Sequence, residues 1–220
     1  MSADTAAPSA TATTTVLMLA FDEVELLDFA GPYEVFTTAA RVHTRRCGEA
    51  VAPRFQVLTA SADGRSVRAR AGLLLGVDHA LADAPATDWL LLPGGVVDGV
   101  LAQPATLAAL KQRADACALT ASVCTGAFVL AAAGILRDGD AVTTHWEDAD
   151  DLARRFPRLR VCPNRRWIDN GRSATSAGIA AGIDLALHLV ERAAGPALAV
   201  ATARQMDYPW TPAPTPTPAP

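Results

Sequence analysis

From residue 16 onward, short unbroken apolar runs alternate with longer segments in which apolar residues recur every three to four positions. The first pattern marks strands buried on both faces, and the second marks helices. VLMLAF (16–21), RFQVLTA (54–60), WLLLPGG (89–95, ending in a glycine turn) and ALTASV (118–123) read as strands. PYEVFTTAARVHTRR (32–46), with proline in its first turn, PATLAALKQRADA (104–116) and TGAFVLAAAGIL (125–136, with Gly134 near its end) read as helices. After AVTTH (141–145), EDADDLARRF carries acids in its first turn and arginines in its last, as a helix dipole favours. RWIDNGRSATS is a hairpin by its Asn170-Gly171 turn, and AGIDLALHLVERAAG is an amphipathic helix.

Alternating strands and helices, with the strands apolar on both faces, predict a doubly wound α/β fold: a mainly parallel sheet covered by helices on both sides. Ligands in such folds bind beyond the carboxyl ends of the strands, so the informative loops follow residues 21, 92 and 123. The ends of the chain differ. MSADTAAPSATATTT (1–15) and the proline-rich tail from 207 to 220 hold too little apolar surface to offset the entropy of ordering, which leaves one domain, 16–206.

Composition removes several functions. The 220 residues carry a net charge of −4 with no stripe of Lys and Arg, so no nucleic acid partner is expected and a small molecule is. No apolar stretch is long enough to span a bilayer, and residues 1–15 lack a basic region followed by an apolar one; the expectation is a cytoplasmic protein with no membrane partner. Cys47, Cys117, Cys124 and Cys162 form no CxxC, and His43, His79, His145 and His188 form no HxH or HExxH, so neither a metal nor a disulfide framework is indicated. No GxGxxG or GxxxxGK[ST] follows a strand, so nucleotide phosphate binding is not indicated either.

Candidate chemistry gathers at the strand ends. Cys124 falls in a strand-to-helix turn, where free backbone N–H groups and the helix dipole favour a thiolate; it reads as an elbow nucleophile or as a small buried hydrophobe. Asp28, between Leu27 and Phe29, is the loop acid most apt to sit in an apolar setting with a raised pKa, or it caps the next helix. Gly94 and Gly95 bring bare backbone to the same crevice, as oxyanion donors or as an ordinary turn. His145 lies just past a strand, catalytic or merely packed.

FDEVELLDFAGPYEVF, DWLLLPGG, SVCTGAFVLAAAGIL, TTHW and SAGIAAGIDLALHLV, in that order, resemble the ThiJ/PfpI superfamily, the glutamine amidotransferase-like group, over nearly everything from Val16 to about Met206. The resemblance implies a flavodoxin-like sheet, a cysteine nucleophile and a homodimer with the site near its interface. Proteases and glyoxalases of the superfamily commonly use a glutamate in the first loop, and the protease branch has histidine after its cysteine; here those positions hold Asp28 and Thr125. LLDFAGP with SVCTGAFVL is similar instead to isocyanide hydratases. That implies Cys124 as nucleophile, Asp28 as acid/base, Thr125 as a substrate-positioning or oxyanion donor, and Ile179 facing the cysteine. The implied reaction hydrates a small organic isocyanide to the N-substituted formamide without a cofactor. RWIDNGRSATSAGIAAGIDLALHLV is also similar to the amidase-like sensor domain of AraC-type regulators, which implies a ligand sensor; another cysteine hydrolase of the superfamily is the remaining alternative.

Overall fold

The structure is a computed structural model and describes residues 12–210. The chain begins with β1 (Thr14–Leu19), α1 (Leu26–Cys47) and β2 (Phe55–Ser61), followed by three short strands, β3 (Val67–Arg68), β4 (Leu74–Leu75) and β5 (His79–Ala80). Then come β6 (Trp89–Leu92), α2 (Asp98–Leu101), α3 (Pro104–Ala116), β7 (Leu119–Val123) and α4 (Gly126–Ala132). The last third holds β8 (Ala141–Val142), α5 (Ala149–Arg155), β9 (Arg160–Val161), β10 (Trp167–Asp169), β11 (Ser173–Ser176), α6 (Ala181–Ala194) and α7 (Pro196–Gln205).

The main sheet runs β10-β11-β7-β6-β1-β2-β5, with every neighbouring pair parallel except β10 and β11. The expected architecture, a mainly parallel sheet between two layers of helices, is therefore what forms. β1 is followed by β2 on one side, while β6 returns to the other side of β1 and the chain then moves outward to β7. Right-handed crossovers in opposite directions place α1 on one face and α3 and α4 on the other. α6 and α7 join α1 on its face. The order reverses between β1 and β6, the switch point beyond whose carboxyl strand ends doubly wound folds bind their ligands.

Non-local packing moved several boundaries. α1 starts at Leu26, six residues before the expected start, so Asp28 lies in the first helical turn and Pro32 inside the helix. Pro32 cannot donate to the Asp28 carbonyl. Burial of the apolar Phe29, Pro32, Val35 and Phe36 on the inner face of the helix offsets that loss. α4 ends at Ala132, short of 136, and residues 146–148 form a single 3-10 turn before α5. The hairpin forms, but Asn170 is its last paired residue and Gly171, at φ +88°, starts the turn.

The ends also deviate from the sequence reading. Thr14 and Thr15 belong to β1, where they pair with Phe55 and Gln56, and the Thr15 N–H and hydroxyl both donate to Asp88. Beyond α7, Tyr208 and Trp210 pack against the core, so the tail does not detach at 207. The rest of the two end segments, 1–11 and 211–220, lies outside the described residues. Among the described residues no helix is long and apolar enough to cross a membrane, and no group of three or more His, Cys, Asp or Glu side chains is placed to hold a metal.

Candidate active site

β7 is buried along its whole length and delivers Cys124 to the crevice. Cys124 has φ +56°, the left-handed region, a conformation that costs a non-glycine residue about 1–2 kcal/mol. Its surroundings impose that conformation. The Cys124 N–H points at the Ser176 and Ala177 carbonyls (3.2 and 3.3 Å), and the Thr144 hydroxyl donates to the Cys124 carbonyl at 2.8 Å. Sequence reasoning passed over Thr144 because a threonine beside a candidate histidine carries no spacing signal.

Asp28 comes from the first turn of α1 and is fully buried. Its Oδ2 accepts the Gly94 N–H at 3.1 Å. Burial pushes the carboxyl up to about 7, while the Cys124 thiol and the Gly94 and Ile179 amides pull it down and the Glu25 charge raises it further. Burial and the Asp28 charge push the Cys124 thiol up to about 12, against the lowering effect of the Thr125 and Ile179 amides. The expected thiolate is thus corrected. α4 is seven residues long, and its dipole does not offset the desolvation of the thiol of a cysteine only 7% exposed. At neutral pH the pair shares its protons between sulfur and carboxyl, and its titration belongs to both groups.

Gly94 and Gly95 close the other wall. Gly95 bridges to Val24, the Glu25 N–H donates to the Gly94 carbonyl at 2.9 Å, and the Val96 N–H donates to the Glu23 carbonyl at 3.0 Å. A Cβ at Gly94 would lie 2.6 Å from Thr125 Oγ1 and 2.7 Å from Asp28 Oδ2; one at Gly95 would lie 2.3 Å from the Glu23 carbonyl. The sequence allows these two N–H groups to be oxyanion donors or part of an ordinary turn. In the structure the first goes to Asp28 and the second to Thr125 Oγ1 at 2.9 Å, so they build the site's wall. The Thr125 hydroxyl, for which the resemblance implies a substrate-positioning or oxyanion role, donates to the Gly95 carbonyl at 2.8 Å.

Ile179 is brought to Asp28 and Cys124 through its backbone, at φ +50°, in the loop before α6 rather than within that helix. A β-branched side chain rarely occupies that region, so the loop around it is constrained. His145 stays apart. Its Nδ1 takes the Glu147 N–H at 3.4 Å and faces the Glu147 and Asp148 carboxylates at 3.6 and 3.7 Å, with its ring packed on Gly178 and Trp146.

A strained cysteine elbow facing a buried carboxyl, across the switch point of a doubly wound sheet, defines the class of domain. Over residues 14–192 the chain matches the DJ-1/PfpI family, and it belongs to that family. It is 34% identical over 198 residues to the isonitrile hydratase of Pseudomonas putida, covering 89% of this chain and 78% of that protein. It is 35% identical over 150 residues to the HTH-type transcriptional regulator GbdR of Pseudomonas aeruginosa, which covers 68% of this chain but only 40% of the regulator. Among solved structures, a THiJ/PfpI family protein from Pseudomonas syringae superposes with a TM-score of 0.77 at 25% identity, over 92% of this chain and 78% of that one.

Proposed function

We propose that this chain adds water to a small organic isocyanide and releases the N-substituted formamide. The observation that carries the reading is the buried Asp28–Cys124 pair, in which burial raises the carboxyl to about 7 and the thiol lies beside it. An isocyanide carbon must gain both a nucleophile and a proton. The pair supplies both from one thiol. As Cys124 Sγ bonds to the terminal carbon, its proton passes to Asp28 and from there to the same carbon, giving a thioimidate, R–N=CH–S–Cys. Asp28, ionised again, takes a proton from the attacking water. Asp28 hands that proton to the nitrogen, the C–S bond breaks as the added hydroxyl gives its proton to sulfur, and the formamide leaves with the thiol restored.

The similarity to the Pseudomonas putida isonitrile hydratase supports the same reading. All the atoms come from the substrate, one water and the side chains, so the scheme needs no cofactor. A cytoplasmic homodimer belongs to the proposal, and light scattering on the purified protein tests the dimer.

The test is incubation with an aliphatic isocyanide in D2O, followed by NMR. Formamide carrying deuterium at the formyl carbon is the expected product. Saturable binding without product would overturn the catalytic reading and favour a sensor domain, the reading that the GbdR similarity supports.

A further inference from the structure

The loop between β11 and α6 lies against the cysteine elbow, with the Ala177 carbonyl 3.3 Å from the Cys124 N–H and the Ile179 amide facing the Asp28–Cys124 pair, and a single residue grips that loop at both ends. The Arg166 carbonyl accepts the Ala177 N–H at 2.9 Å, where the loop begins. The Arg166 guanidinium is ion-paired with Asp184, in the first turn of α6, where the loop has ended. Tyr208, from the segment after α7, completes the cluster: its hydroxyl donates to Asp184 Oδ2 at 3.0 Å and accepts from Arg166 Nη2 at 3.3 Å. Asp184 is 5% exposed, so this is an anchored contact rather than a solvated surface pair.

We propose that Arg166, held by Asp184 and Tyr208, is a positioning residue that fixes the Ile179 amide against the Asp28–Cys124 pair. The geometry explains how a β-branched residue is kept at φ +50°. The strain at Ile179 persists only while both ends of the loop are fixed, and the ion pair is the side-chain half of that fixation. Neither Arg166 nor Tyr208 reaches the reacting atoms; their effect passes through the backbone of residues 177–180. The role in turnover rests on the hydratase reading, whereas the effect on the pair does not.

The experiment is therefore done first without substrate. The Asp28 carboxyl is titrated by 13C NMR, with Asp28→Asn assigning the signal and folding checked by thermal melting. Arg166→Met keeps the carbonyl bond to Ala177 but releases Asp184, freeing the Ile179 amide. Because that amide stabilises the charged carboxyl, the Asp28 midpoint is expected to rise by on the order of half a pH unit. Arg166→Lys retains the charge opposite Asp184 and is expected to give a smaller rise. Tyr208→Phe keeps the ring and loses only the hydroxyl, so it carries the test if Arg166→Met does not fold; a rise is expected there too. An unchanged Asp28 midpoint in a folded Arg166→Met, or in Tyr208→Phe when that variant carries the test, overturns the proposal. In a parallel isocyanide assay, a lower kcat at unchanged KM supports the positioning role in turnover. An absence of turnover in the wild type counts against the hydratase reading and leaves the titration result standing.

Discussion

Gly95 and Thr125 exchange two hydrogen bonds across the crevice: the glycine N–H donates to the threonine Oγ1 at 2.9 Å, and the threonine hydroxyl donates back to the glycine carbonyl at 2.8 Å. The pair fastens the loop after β6 to the residue that follows Cys124. Thr125→Val keeps the branched shape and leaves a backbone donor and acceptor unpaired in a partly buried place. A loss of about 1–3 kcal/mol is expected, read as a lower Tm, together with a fall in formamide production as the wall beside Cys124 loosens. Thr125→Ser keeps the hydroxyl and is expected to retain most of both. If Thr125→Val has wild-type stability, the exchange does not fasten the loop.

Asp28 links function to stability with a defined sign. Its folded pKa, near 7, lies above the ordinary carboxylate value of 3.8, so the native state holds the proton more tightly than the unfolded chain. The contribution is favourable below about pH 4 and is lost as pH rises toward 7, with on the order of 4 kcal/mol as its ceiling. Asp28→Asn removes that charge. Its Tm is expected to exceed the wild type's at pH 8, and the gap to close by pH 4, while kcat falls on the order of 10²-fold or more. A wild-type Tm that does not fall relative to Asp28→Asn between pH 4 and 8 would contradict a carboxyl held near 7.

The positions of Asp28 and Cys124 were legible because they rest on local signals: a lone acid among apolar residues, and a cysteine where a strand run meets a helical one. β1, β2, β6 and β7 and the helices α3 and α6 were legible for the same reason, since their periodicity records burial. What the sequence hid depends on contacts between distant segments. The two-residue strands β3, β4, β5 and β9 are defined by their partners, and α7, with PALAVATARQ, has no expected counterpart. The start of α1 was obscured by Pro32, whose usual place is the first turn. The state of the thiol was misread because a helix N-terminus can be seen in a sequence, while the depth of a sulfur and the charge of a carboxyl beside it cannot.

That state reorders the reactivity of the cysteines. Cys47 is exposed on the last turn of α1 with His43 Nε2 3.6 Å from its sulfur, whereas Cys124 is buried and largely protonated at neutral pH. Iodoacetamide at pH 7 is expected to label Cys47 first, with Cys124 labelling rising as pH increases, both followed by peptide mass spectrometry. Cys124→Ala is nonetheless expected to abolish turnover, and Cys47→Ala to preserve it. Faster labelling of Cys124 at pH 7 would show that the thiol is not held up as the burial implies.

Gly94 offers a steric test with an internal control. Gly94→Ala forces a methyl within 2.7 Å of Thr125 and Asp28, so either the loop after β6 or the carboxyl must move. Loss of activity and a clearly lower Tm are expected. Gly99, in α2, has nothing within 4 Å of the same added atom, and Gly99→Ala is expected to be neutral or to stabilise by up to about 1 kcal/mol. Equal effects of the two substitutions on melting and turnover would remove the argument that Gly94 is there to let Asp28 and Thr125 meet.

His145 separates this site from a cysteine–histidine hydrolase. A general base for Cys124 would have to reach its sulfur directly or through one water. The His145 ring instead lies on Gly178 and Trp146, with Nδ1 turned toward Glu147 and Asp148. That placement predicts that its effect on the site passes through the loop that carries Ile179, as packing. His145→Asn is expected to lower kcat less than about 10-fold, against on the order of 10²-fold or more for Asp28→Asn, and to leave the lower limb of the pH profile in place, since that limb belongs to the Asp28–Cys124 pair. If His145→Asn is inactive while Asp28→Asn turns over, the proton travels through the histidine and the isocyanide scheme falls. Retention of the pH limb in His145→Asn, together with its loss in Asp28→Asn, would place the transferred proton on the carboxyl.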